Sequence, residues 1–166
     1  MTQTKPSSES MGIDPYERNW IRWSIVLLVV FAAAIALAAF GFGFQVPGVE
    51  MRVDPRTVTE SGPFSQPGLR EIGAGEYEAF VVARTFSYEP TKLEIPVGSR
   101  VTFYVTSVDV QHGFKIQDTN VNLQVVPGEV SRISATFDQV GEFPIICTEF
   151  CGIGHGAMFA TIRVVP

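Results

Sequence analysis

A chain of 166 residues with a formal net charge of −5 has room for one domain and one further element, and its scattered Lys and Arg exclude the basic stripe of a nucleic-acid binder. Charge is shared unevenly: residues 1–43 carry three basic and three acidic side chains, and residues 44–166 carry nine basic and fourteen acidic ones. The larger part is therefore mildly acidic, which suits a basic partner without identifying one.

Residues 23–49 contain no charged side chain, and residues 25–44 are almost wholly apolar. Twenty residues at helical rise span roughly 30 Å, the thickness of a bilayer's hydrocarbon core. Trp20 and Trp23 stand at the N-terminal edge, where amphipathic rings prefer the headgroup zone. Arg18 and Arg22 flank the same edge and can reach lipid phosphates. Residues 23–44 are therefore predicted to form a single transmembrane helix. Ala36-Leu37-Ala38 resembles a signal-peptide cleavage site, but the apolar run is longer than a typical signal core and a polar segment, residues 1–22, precedes it. Lys5, Arg18 and Arg22 lie before the helix, while Arg52 and Arg56 follow at greater distance. The positive-inside rule then places residues 1–22 in the cytoplasm and the rest of the chain on the outer side.

Across residues 45–75, Pro47, Pro55, Pro63 and Pro67 alternate with Gly48, Gly62, Gly68, Gly73 and Gly75. This density of helix breakers predicts an extended surface connection. From residue 76 the pattern changes to strands. Residues 77–85 are rich in Phe, Val and Tyr, Val101, Phe103 and Val105 alternate on one face, and Ile133, Ala135 and Phe137 do the same. Residues 93–95, 114–117, 121–126, 142–147 and 158–165 are further candidates, separated by turn residues such as Pro127-Gly128 and Val140-Gly141. Seven or eight short strands predict an all-β two-sheet sandwich over residues 76–166.

The chemistry is concentrated near the C-terminus. Both cysteines of the chain, Cys147 and Cys151, lie within twelve residues of sequence that also hold His155 and Met158; the other histidine, His112, follows a strand-like run. Thiolate, imidazole and thioether donors favour copper over hard cations. Loops at one end of a sandwich can bring a distant His to a compact C-terminal loop. A mononuclear blue-copper site would need only Cys151, His155, Met158 and His112 and would leave Cys147 over, a thiol exposed to copper-driven oxidation. Two thiolates, two imidazoles and a thioether exceed the demand of one copper, so two coppers become plausible. Alternatively, a Cys147–Cys151 disulfide with no metal is compatible with the spacing.

The pattern Cys147-x-Glu149-x-Cys151-x3-His155-x2-Met158, preceded by Ser107-x-Asp109-Val110-x-His112-x-Phe114, resembles subunit II of haem-copper cytochrome c oxidases. The resemblance covers nearly the whole chain, and the single anchor and short length are most similar to the ba-type branch of Thermus-like bacteria. It implies a cupredoxin-like Greek-key sandwich carrying a dinuclear CuA centre in a bacterial cell membrane. Cys147 and Cys151 would bridge two copper ions, and His112 and His155 would each terminate one. Met158 and the backbone carbonyl of Glu149 would be weak ligands. Such a centre takes electrons from cytochrome c and passes them to haem in subunit I, where dioxygen is reduced and protons are pumped. In aa-type relatives the carboxylate matching Glu149 reaches a divalent cation at the subunit interface, a role that here would need oxygens from the partner. A membrane-anchored mononuclear blue-copper carrier or copper-delivery protein is the alternative, with other CuA enzymes such as nitric or nitrous oxide reductases behind it.

The chain departs from the aa-type pattern in one respect. That pattern passes the incoming electron through a Trp, whereas both Trp residues here lie at the membrane edge. In the matching region, residues 84–90, Phe86 and Tyr88 are expected near the copper loop as part of an apolar patch that docks cytochrome c; packing at the edge of the sandwich would account for them equally well.

Overall fold

The computed structural model describes residues 14–42 and 48–166. Residues 1–13 of the expected cytoplasmic segment, 43–44 of the expected helix and 45–47 of the expected connection lie outside the described residues. The described chain forms two compact units, a helix and a β-domain.

Helix α1 (Pro15–Gly41) starts eight residues earlier than its apolar run suggests. The cause is local. Asp14 caps the helix by accepting the Tyr16 N–H at 2.8 Å, and Pro15 occupies the first turn, where its missing N–H costs nothing. No Gly or Pro interrupts the following residues until Gly41. None of its residues is buried, so its apolar side chains have no partner within the unit. The helix is long and apolar enough to cross a membrane.

Eleven strands make up the β-domain among the described residues: β1 (Gly48–Arg52), β2 (Gly68–Gly73), β3 (Glu76–Arg84), β4 (Ser87–Glu89), β5 (Lys92–Pro96), β6 (Ser99–Ser107), β7 (His112–Ile116), β8 (Asn122–Val125), β9 (Glu129–Phe137), β10 (Gly141–Ile146) and β11 (Phe159–Val165). One sheet runs β1-β9-β6-β3-β2 with β4 added beside β3, and the other runs β5-β11-β10-β7-β8. Val101, Phe103 and Val105 point into the space between the sheets with Phe114, Ile116, Ile145 and Ile162, all fully or almost fully buried. That interior supplies most of the hydrophobic driving force.

The stretch expected as an extended connection instead contributes β1 and β2. Its middle part also covers the outer face of the larger sheet, where Val58 and Phe64 pack on Phe80, Val82 and Val130. Phe64 meets Phe80 edge-on at 5.4 Å. Because both faces of β3 are covered, residues 79–83 are buried without a break and do not alternate.

Strand register fixes where the site falls. β3 and β6 run parallel with Ala83 opposite Ser107, so both end at the same end of the sandwich. In the other sheet Ile146 lies beside Lys115 and opposite Phe159. The start of β7, the end of β10 and the start of β11 therefore meet, and the loop 147–158 closes over them.

Candidate metal centre

His112 opens β7, fully buried. Cys147 follows the last residue of β10, and Cys151 lies four residues further along the loop, both buried. His155 begins a single 3-10 turn (His155–Ala157), half-buried, and Met158 is buried where the chain enters β11. The two sulfurs stand 3.8 Å apart, far beyond the ~2.05 Å of a disulfide, and both cysteines are free. Each imidazole Nδ1 faces its own sulfur: His112 lies 4.0 Å from Cys147 Sγ, and His155 lies 3.8 Å from Cys151 Sγ. Met158 Sδ is 3.7 Å from Cys151 Sγ, and the Glu149 carbonyl is 3.2 Å from Cys147 Sγ. All six residues expected as ligands thus come together. The donor atoms of His112, Cys147 and Cys151 lie within 4.8 Å of one another.

A carboxylate settles which nitrogen of His112 is free. Asp109 Oδ1 lies 2.9 Å from His112 Nε2 and accepts the Val110 N–H at 2.6 Å. Asp109 Oδ2 accepts both the N–H and the hydroxyl of Thr85, at 2.7 and 2.9 Å. Burial alone would raise the pKa of Asp109, but the bonds from His112, Thr85 and Val110 outweigh it and lower it from 3.8 to about 2. An ionised carboxylate only accepts, so Nε2 carries the proton and the Nδ1 lone pair points at the sulfurs. This is the carboxylate–histidine arrangement that orients an imidazole towards a metal.

The thiols are held against solvent. Burial, reinforced by the neighbouring Cys147, pushes Cys151 from 9.0 up to about 11. A metal must therefore displace a proton from Cys151 at neutral pH. The Gly113 N–H donates to Cys147 Sγ at 3.5 Å. Gly113 could be nothing larger: a Cβ there would lie 2.1 Å from Thr148 Oγ1 and 2.5 Å from Thr148 N. The donors fit copper, since soft sulfur and imidazole converge with no hard carboxylate oxygen among them.

Phe86 and Tyr88 have different fates. Phe86 is 39% exposed and lies against the metal-loop glycines; a Cβ on Gly154 would come within 2.4 Å of its ring. Tyr88 is only 1% exposed, its ring edge-on to Phe114 at 5.6 Å and its hydroxyl donating to the Gly113 carbonyl. It is a core residue beside the site, and direct contact with a partner is closed to it. Phe86 lies in the β3–β4 turn, which Asp109 also grips through Thr85, and Tyr88 is the middle residue of β4. Glu149 is half-buried in a shallow cleft lined by Asn122, Leu123, Gln124 and Thr148. Asp109 stands in the sequence motif without a role assigned to it there, and the contacts of Thr85 and Gly113 are ones that sequence reasoning passed over. The carboxylate three positions before a ligand histidine was the available signal.

A β-sandwich that closes one end over paired thiols, two imidazoles and a thioether defines a copper-binding domain of the cupredoxin-like class. Comparison with known proteins narrows this. The family model of cytochrome c oxidase subunit II, periplasmic domain, matches residues 83–165. The chain is 43% identical over 153 residues to cytochrome c oxidase subunit 2 of Thermus thermophilus, covering 90% of this chain and 91% of that protein. In structure it matches a chain of a heme-copper terminal oxidase dimer with a TM-score of 0.74 and 34% identity, over 90% of this chain and 99% of the other. The periplasmic domain of subunit II of the Bradyrhizobium japonicum cytochrome oxidase shares the fold at 20% identity and a TM-score of 0.50, over 53% of this chain and 83% of that one. The chain belongs to the cytochrome c oxidase subunit II family. It is thus a subunit of an oxidoreductase complex, and membership of a haem-copper oxidase implies subunit I as its partner.

Proposed function

We propose that this chain is the electron-entry subunit of its oxidase, with two copper ions at the cluster that take single electrons from cytochrome c and give them to haem in subunit I. Dioxygen reduction and proton pumping would belong to subunit I. The observation that carries this reading is the paired geometry: two unjoined sulfurs 3.8 Å apart, each faced by its own imidazole Nδ1. Metal–thiolate bonds of about 2.3 Å let one ion touch both sulfurs at that spacing, on either side of the pair. Cys147 and Cys151 would then be shared bridges, His112 and His155 the separate ends, and Met158 and the Glu149 carbonyl weak outer ligands. A loop fixed at both ends by β10 and β11 keeps these donors in place whichever charge they serve, which keeps reorganisation small.

Around this centre, Phe86 with exposed Phe150 and Ile153 offers an apolar surface for cytochrome c, and the mild acidity of residues 44–166 favours a basic donor. The Glu149 side chain would bind a divalent cation only with oxygens supplied by subunit I. We place residues 1–22 in the cytoplasm of a bacterial cell, 23–44 across its membrane, and the connection 45–75 and copper domain 76–166 outside. The test is cytochrome c oxidation by the assembled oxidase carrying Cys147→Ser. Turnover with cytochrome c should fall to background, while a small reductant able to feed subunit I directly still supports oxygen uptake. Undiminished cytochrome c oxidation would contradict the proposal.

A further inference from the structure

Tyr88 is the largest wholly buried side chain near the cluster that no ligand role uses. It belongs to β4, paired with Ala83 of β3 in the larger sheet, yet its hydroxyl bonds to the Gly113 carbonyl in β7 of the smaller one. The bond therefore ties the two sheets together at the end where the metal site lies. Gly113 follows the ligand His112, and its N–H is the donor that reaches Cys147 Sγ. A Cβ added at Gly113 would collide with Thr148, so this stretch of β7 packs directly on the metal loop. The Phe114 ring, edge-on to Tyr88, fixes the phenol in turn. We propose that Tyr88 is a positioning residue for the copper centre: by holding the Gly113 carbonyl it keeps the Gly113 amide on the sulfur of Cys147.

The consequence is electronic as well as structural. An N–H bond to a metal-bound sulfur withdraws electron density and favours the reduced metal, which is how hydrogen bonds around a cysteine tune a copper potential. Tyr104 is the matched control. Its hydroxyl bonds to Glu78 Oε1 at 3.3 Å, and its ring stacks on Phe80 in the second, outer cluster, away from the metal loop.

The inference rests on copper binding at Cys147, and the test separates the two. The full-length, copper-loaded chain carrying Tyr88→Phe should keep its copper content while its reduction potential falls. The reduction equilibrium should move roughly fivefold towards the oxidised form, the weight of one ordinary hydrogen bond. Tyr104→Phe should leave the potential where it is. In the metal-free full-length chain, the Gly113 amide should exchange slowly with solvent and faster after Tyr88→Phe. Equal potentials for the two variants would overturn the inference. So would an unprotected Gly113 amide in the unmodified chain, a result that needs neither copper nor a folded variant. Failure to bind copper at all would instead count against the function proposed above, and the amide measurement would still decide the role of Tyr88.

Discussion

The two imidazoles of the cluster have opposite surroundings. His112 is fully buried, its far nitrogen held by Asp109, and the next residue is locked between Tyr88 and Thr148. His155 is half-buried on a single helical turn within a glycine-rich loop, its ring 5.9 Å from the strongly exposed Phe150. One half of the site is built into the sandwich and the other faces outward. The inner half supplies rigidity, because its ligand is fixed by strands from both sheets. The outer half supplies access, because an incoming partner can approach His155 through side chains that the domain leaves uncovered.

Substituting serine for Cys147 or Cys151 breaks both halves at once, and its effect should be the largest. In the proposed centre either change removes one of the two bridging sulfurs, so paired copper binding and its purple absorption should disappear in a titration followed optically. Glycine substitutions separate the halves. A Cβ at Gly113 collides with backbone, Thr148 N at 2.5 Å and Glu149 N at 2.9 Å, a clash that no side-chain rotation relieves. Gly113→Ala should therefore cost ~3 kcal/mol in denaturant unfolding. The three atoms nearest a Cβ at Gly154 all belong to the ring of Phe86, a partly exposed side chain that can rotate away. Gly154→Ala should cost ~1 kcal/mol or less. Equal costs would erase the distinction between a rigid and a compliant half.

Asp109→Asn acts on the inner half alone. It leaves the ligands intact but removes the ionised acceptor that fixes the His112 tautomer, so copper affinity should fall about 10- to 100-fold in a chelator competition. A smaller effect concerns the copper-free protein. Folding raises the Cys151 thiol from 9.0 to about 11, so the folded chain holds this proton more tightly than the unfolded one. The stability it contributes is complete below pH 9 and is lost as pH rises through 11. Unfolding midpoints measured across that window should decline, and Cys151→Ser should flatten the decline.

The same contrast explains what could be read from sequence. The outer half is local: Cys147, Glu149, Cys151, His155 and Met158 share one loop, so their spacing alone reveals them. Val101, Phe103 and Val105 alternate because β6 has one face on the main core, and that periodicity is visible in the residues themselves. The inner half depends on contacts between distant residues. Thr85 reaches Asp109 across 24 positions and Tyr88 reaches Gly113 across 25, which no local pattern encodes. For Tyr88 the residues alone leave a docking patch and edge packing equally open, and only the position of β4 directs it into the core. β1 and β2 were hidden for a related reason: their prolines and glycines signal a connection, and only pairing with β9 and β3 makes them strands.

The central claim, that both halves are joined through shared sulfurs, is tested most directly by counting copper and unpaired electrons in the same sample. The full-length chain would be loaded with copper, assayed for metal per polypeptide, and examined by electron paramagnetic resonance. Two coppers per chain with a single unpaired electron spread over both nuclei is the result predicted here. One copper per chain, with the signal confined to one nucleus, would contradict the account and leave one half of the cluster without a metal to bind.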